Sequence, residues 1–207
     1  NYNLLEILTH IRHSEKVFTM KRLLLILILT FSFQNLTMAD EIRDFEVEGM
    51  SVGDSALDYF SKEYLIEGLK NKSNKRKNKF QRVWIRDREF NSYQYVSITL
   101  KKEDSSYFIY GIAGMFDINR KDECLIKKES IESELSKVFN KSKMTHSDVA
   151  SKQDSTGKSR VVGTYFHLKD GGNASVQCYL FTKEANLKSG LDVTIRSEEF
   201  SKYLRSL

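Results

Sequence analysis

Histidine and cysteine are scarce in this 207-residue chain and proline is absent. Cys124 and Cys178 are too few and too far apart for a CxxC redox motif or a thiolate metal cage. Of the four histidines, His10 and His13 lie near the start. That leaves His146 and His167, which lack the spacing of paired metal ligands and offer a serine nucleophile few general bases. Long apolar runs are missing too. The longest, at 23–33, falls short of the roughly 20 residues a membrane span needs. No cofactor or metal is implied, and no transmembrane span is expected in the mature protein.

What is present begins with an address. Met20-Lys21-Arg22, the apolar run at 23–33 and Thr37-Met38-Ala39 are the three parts of a secretory signal peptide at 20–39. A buried core helix is the structural alternative. Residues 1–19 read as an upstream extension, either translation ahead of Met20 or a longer leader. No cysteine follows the cleavage site, which gives no support to a lipid anchor. Cleavage after Ala39 leaves 168 residues, 40–207, expected to form a single α+β domain in the periplasm or outside the cell. A domain of that size buries roughly 70% of the surface its unfolded chain exposes. Its 29 Lys/Arg against 26 Asp/Glu give a net charge of +3, too mild for a dedicated polyanion binder. In an oxidising compartment Cys124 and Cys178 read as a disulfide closing a 55-residue loop. The loop-entropy model assigns that roughly 4 kcal/mol. Two free buried thiols are the alternative.

The hydrophobic period gives the order of elements. Phe45-Glu46-Val47-Glu48 alternates as a short strand does. Ser51 and Asp54 have capping-box spacing ahead of Val52, Ala56 and Phe60, so a helix is expected over 52–69. Period two then predicts strands at 80–87, 93–100 and 106–113. Helical spacing returns at 122–141, and residues 142–160 are polar and structureless by pattern. Strands are expected again at 161–168, 174–181 and 190–196, followed by a closing helix at 198–206. The expectation is α+β: an antiparallel sheet of about six strands in two three-strand meanders, with helices on one face. The two halves are either a duplication or two hairpins that look alike.

Three motifs suggest chemistry. Gly49-Met50-Ser51-Val52-Gly53 fits the G-x-S-x-G nucleophile elbow, and Gly53-Asp54-Ser55-Ala56-Leu57 resembles the Gly-Asp-Ser-Leu block of small secreted esterases. Either would make Ser51 or Ser55 the nucleophile of a small hydrolase. Lys143 and Thr164 stand where an Asp three residues before each histidine would be needed, so helix capping explains the serines better. Gly157-Lys158-Ser159 echoes a phosphate-binding loop, but Lys152 replaces its first glycine. The one charge concentration, Lys72, Lys75, Arg76, Lys77, Lys79 and Arg82, reads as a solvated loop or a contact for an anionic surface. Nucleic acid is not expected as a partner.

The stretch from Phe45 to Ser55 with Asp58-Tyr59-Phe60-Ser61, together with Cys124 and Val176-Gln177-Cys178-Tyr179, resembles an uncharacterised family of small exported proteins from marine bacteria. The resemblance implies export and one domain, and no activity. Residues 49–60 also resemble the helix start of outer-membrane assembly lipoproteins of the small protein A (BamE) type. This chain departs from that type in lacking a lipid-attachment cysteine and, without proline, the closing Gly-x-Pro. The expectation for function is a non-catalytic envelope module that binds a protein partner or an anionic surface through its sheet or the 71–88 region. A hydrolase using Ser51 or Ser55 is the alternative. A third reading, a carrier with a cavity lined by Tyr95, Phe108 and Tyr110, needs a pocket. The expectation is that no concave pocket gathers polar side chains from distant parts of the chain.

Overall fold

Period-two alternation builds seven strands: β1 (Phe80–Ile85), β2 (Tyr95–Lys101), β3 (Ile109–Asp117), β4 (Lys143–Ala150), β5 (Arg160–His167), β6 (Asn173–Leu180) and β7 (Gly190–Arg196). They form one open antiparallel sheet in the order β1-β2-β3-β7-β6-β5-β4. Three α-helices among the described residues accompany it: α1 (Lys62–Leu69), α2 (Lys121–Val138) and α3 (Glu198–Arg205). This is an α+β fold. The computed structural model describes residues 42–43, 45–70 and 78–207, all within the unit Glu41–Leu207. The expected extension at 1–19 and signal peptide at 20–39 lie outside the described residues, as do Lys72, Lys75, Arg76 and Lys77.

Strands number seven rather than six because residues 143–150, expected to be structureless, pair along their whole length with β5. The side chains that anchor β4 to the helix layer are polar, so no apolar alternation betrays it. Thr164 on β5 donates to Glu132 on α2 at 2.6 Å, and His146 on β4 meets the same threonine hydroxyl at 3.0 Å. The threonine's single proton points to Glu132, so the His146 ring nitrogen is the donor to it. Lys128, buried on α2, completes the cluster at 2.6 Å from Glu132. Burial alone would raise the Glu132 carboxyl, but hydrogen bonds from Lys128 and Thr164 prevail and hold it below the usual range.

One face of the sheet carries the apolar core. Val83, Ile85, Val96, Ile98, Ile112, Val176, Val193 and Ile195 are buried on it, beneath α1 and α2. α1 lies so close to β1 that a Cβ on Gly68 would sit 2.5 Å from Val83 Cγ1. α2 is fastened through the Cys124–Cys178 disulfide, with Cα atoms 6.0 Å apart. Farther along, Phe139 packs on Phe166 with ring centroids 5.9 Å apart.

Two expectations about helices need correcting. Not all helices share a face: α3 packs on the other one, where Phe200 and Tyr203 meet Phe80 at 5.0 and 5.2 Å. Phe80 is out of phase with Val83 and Ile85, so β1 has an apolar residue on each side, and α3 covers this one. Nor is there a helix from 52. Residues 56–58 form a single 3-10 turn and α1 starts only at Lys62. Gly53 has φ +98, a left-handed conformation that ends any helix at its first turn. Ser51 and Asp54 keep half of the expected box, since Asp54 accepts the Ser51 N–H at 2.8 Å. The helix caps proper are Ser55, which accepts from Leu57 N, and Ser61, which accepts from Tyr64 N.

Because the bridge ties α2 to the sheet, the Cys124→Ser/Cys178→Ser chain is expected to lose about 2–4 kcal/mol of stability. Urea unfolding of the oxidised parent and of the double variant, read by circular dichroism, checks this.

Candidate ligand-binding trough

On the sheet face away from α1 and α2, strand register sets side chains in rows. Arg82, Thr99, Gly111 and Arg196 form one row across β1, β2, β3 and β7. The next runs Trp84, Ser97, Ala113, Thr194, Ser175 and Tyr165, from β1 to β5. The third holds Tyr95, Met115, Asp192, Gln177 and Gly163. Small side chains occupy the middle of the first two rows and large ones the ends, so the surface is concave. Ser97, Thr99, Ala113, Thr194 and Ser175 are buried beneath their larger neighbours. Phe200 of α3 closes one end, and a Cβ at Gly111 would meet its ring at 3.1 Å.

At the other end lies a cavity of about 710 Å³, lined among others by Arg82, Trp84, Tyr95, Met115, Gln153, Tyr179, Phe181, Lys188 and Asp192. These residues come from five strands, the β4–β5 loop and the β6–β7 loop. The expectation that no pocket would gather polar groups from distant segments therefore fails. The β4–β5 loop is positioned by Asp154, which accepts hydrogen bonds from Thr156 N, Ser159 N and the Ser159 hydroxyl. These bonds, that of Ser159 first, hold its carboxyl far below the usual range. Ser159 in turn accepts from Thr182 N at 3.0 Å, joining this loop to the next. The Gly157-Lys158-Ser159 sequence is thus a hairpin loop followed by β5, with no helix to cradle a phosphate. At the rim Asp117 accepts from Tyr95 at 3.1 Å and pairs with Lys188 at 3.2 Å.

Charge in the trough is held away from water. Burial pushes the Asp192 carboxyl up to about 6, although Arg82 and Arg196 both pull the other way. Tyr179 rises to about 12, through burial first and the Asp192 charge second. Arg196 is lowered by burial and by the like charge of Arg82. Arg82 reaches in from β1 with its guanidinium carbon 5.7 Å from the centre of the Trp84 ring.

The residues singled out by sequence lie elsewhere, with two exceptions. Arg82 and Tyr95 line the trough. Phe108 is exposed, and Tyr110 packs against Phe80 beside α3, so no cavity unites them with Tyr95. Lys79 is paired with Glu199 at 2.8 Å. The Ser51 hydroxyl donates to Arg43 O at 3.1 Å, and that of Ser55 to Ser106 O at 2.8 Å. His146 and His167 hydrogen-bond to Thr164 and Thr145, so neither serine is brought to an imidazole. Sequence reasoning missed Trp84, Tyr179, Asp192 and Arg196. The signal was there in the run of small residues at alternate positions of β2, β3, β6 and β7, which reads as an ordinary polar face until the strands are aligned.

No group of three or more His, Cys, Asp or Glu among the described residues could hold a metal ion. No helix among them is long and apolar enough to cross a membrane.

The Asp192 carboxyl has a stability consequence. Its folded value lies above the roughly 3.9 of an unfolded aspartate, so the folded state keeps a proton that the unfolded chain has lost. Stability therefore falls as pH rises from about 4 to about 6, by up to about 2–3 kcal/mol. Asp192→Asn is expected to be about 2–3 kcal/mol more stable than the parent at pH 7.5 and equal to it at pH 4. Urea midpoints at the two pH values check this. No protein-family profile matches the chain, and neither a curated protein nor a solved structure matches it.

Proposed function

We propose that the mature chain is a non-catalytic exported module of the envelope, one that binds a protein partner or an anionic surface and uses the trough to do so. The observation that carries this reading is the concave surface itself. Arg82, Trp84, Tyr179 and Asp192, from three strands far apart in sequence, converge over a floor of small side chains. Concave sites that mix rings with a few convergent polar groups and shifted ionisations are where ligands are held.

Binding rather than bond-breaking is favoured by what the reactive side chains do. The hydroxyls of Ser51 and Ser55 are donated to backbone carbonyls, and a nucleophile needs its proton directed at a base. The disulfide supports an oxidising compartment, and with it the signal at 20–39. Of the two described members of the basic run, Arg82 is the one whose position in the trough supports contact with an anion. Lys79 is engaged with Glu199.

The test places a photo-crosslinking benzoylphenylalanine at position 84 in the trough, and another at position 126 on the exposed outer side of α2. In cells, irradiation is expected to give a discrete adduct from position 84 and none from position 126. Equal adducts from both positions, or none, would sink the reading. A serine-directed fluorophosphonate is expected to leave the folded, oxidised protein unlabelled.

A further inference from the structure

The sheet has two outer strands, and they differ in what they offer a neighbour. β4 forms one edge, and among the described residues no strand lies on its outer side. All eight of its residues pair with β5 in one unbroken register. Sheet edges are usually blunted by a proline, a bulge or a covering element, because their free backbone groups accept another extended chain. β4 has no bulge and the chain has no proline, and α2 lies chiefly over β6 and β7. At the other edge β1 carries Arg82 and runs on to Arg86, so a second copy there would bring like charges together.

Hydrogen bonds at the two ends of β5 show which groups of β4 face outward. Ser151, just after β4, donates its N–H to Ser159 O at 2.8 Å, and Leu168, just after β5, donates to Gly172 O at 3.1 Å. Antiparallel pairing alternates. Lys143, Thr145, Ser147 and Val149 therefore turn their backbone groups to β5, while Met144, His146, Asp148 and Ala150 turn theirs outward. Of the outward groups, Asp148 O already accepts from Arg160 at 2.9 Å, and a carbonyl has a second lone pair for another donor.

The sequence of β4 is complementary to itself in one register. Antiparallel pairing of two β4 strands must match outward residues with outward residues. Centring the two-fold axis on His146 or on Asp148 sets that residue against its own copy. Centring it on Ser147 sets each His146 opposite the partner's Asp148 and engages the whole segment 144–150. The exposed side chains agree with this register. Met144, 44% exposed, meets the partner's Ala150 on the α2 side, and Val149, 51% exposed, meets the partner's Thr145 on the trough side. The Ser147 hydroxyl is buried without a hydrogen-bond partner. It lies at the axis, where a turn about χ1 brings it to the same hydroxyl of the second copy.

We infer that β4 is a self-pairing edge, through which two copies of the chain join antiparallel along residues 144–150 about a two-fold axis at Ser147. The product is one continuous sheet with seven strands from each copy. An axis normal to the sheet keeps both troughs on the same side, so the dimer presents two hollows to one surface. Seven residues a side is well short of the roughly 20–30 of a stable interface, so the association is reversible and depends on concentration. The inference stands apart from what the trough holds.

The test uses the purified full chain with its Cys124–Cys178 bridge intact. The register places the two Ser147 residues opposite each other in a pair not joined by backbone bonds, with Cα atoms roughly 4.5 Å apart, which is within disulfide reach. Two Thr145 residues stand four positions out of step, roughly 13 Å along the strand. Under mild oxidation Ser147→Cys is expected to give a covalent dimer on a non-reducing gel in at least ~10-fold higher yield than Thr145→Cys. Adding Val149→Lys removes an apolar contact and brings a positive charge beside the partner's Lys143, and it is expected to abolish the cross-link. The sedimentation mass of the parent is expected to rise with concentration, and that of Val149→Lys to stay at the monomer's. Urea midpoints confirm that each variant is folded. Equal cross-linking at 147 and 145, or a cross-link at 147 that survives Val149→Lys, overturns the paired edge. A parent that stays monomeric up to millimolar concentration overturns it as well. A dimer that forms without cross-linking at 147 overturns this register and puts the contact on another surface.

Discussion

The pairing of β3 with β7 is the contact on which everything else depends. Each half of the chain forms its own meander, β1 to β3 and β4 to β7, and only this seam of seven residue pairs makes them one sheet. Gly111 opposite Arg196, Ala113 opposite Thr194 and Met115 opposite Asp192 are all seam pairs. On the opposite face the same seam sets Ile112 beside Ile195 within the buried core. One set of backbone hydrogen bonds thus completes a core on one side and a concavity on the other. Neither meander contains the trough alone.

The two faces achieve their shapes by different means. Under α1 and α2 the residues are branched and aliphatic, and they interlock in the dense manner of protein interiors. On the trough side the central strands carry glycine, alanine, serine and threonine, which fill little space above the sheet. The difference in side-chain size makes a hollow there. α3 then shortens the hollow by laying Phe200 over Gly111.

The fold was largely legible in the sequence wherever burial is apolar, since six strands and the long helix follow from spacing alone. It was illegible where polar contacts replace apolar ones. β4 has no apolar alternation because Glu132, Thr164 and His146 fix it by hydrogen bonds, and those partners lie 14 to 32 residues apart in the chain. The start of the expected helix near Ser51 was misread for a related reason. The capping pattern specifies which N–H groups are satisfied, whereas the left-handed Gly53 decides that no helix follows. The trough was hidden because its members are individually bland. A serine beside a valine on a strand means little until register places Ser97, Ala113, Thr194 and Ser175 in one line. Arg82 was visible as a charge, but its place beside Tyr179 and Asp192 in the trough depends on strand pairing across about a hundred positions.

Cys178 sits in β6 between Gln177 and Tyr179, and strand geometry turns those two neighbours to the side opposite the cysteine. If β6 slid by a single residue against β5 and β7, every one of its side chains would change sides. The sulfur would then point away from α2, out of reach of Cys124. The covalent link therefore acts as an alignment pin: by requiring Cys178 to look toward the helix, it obliges Tyr179 to look toward the hollow.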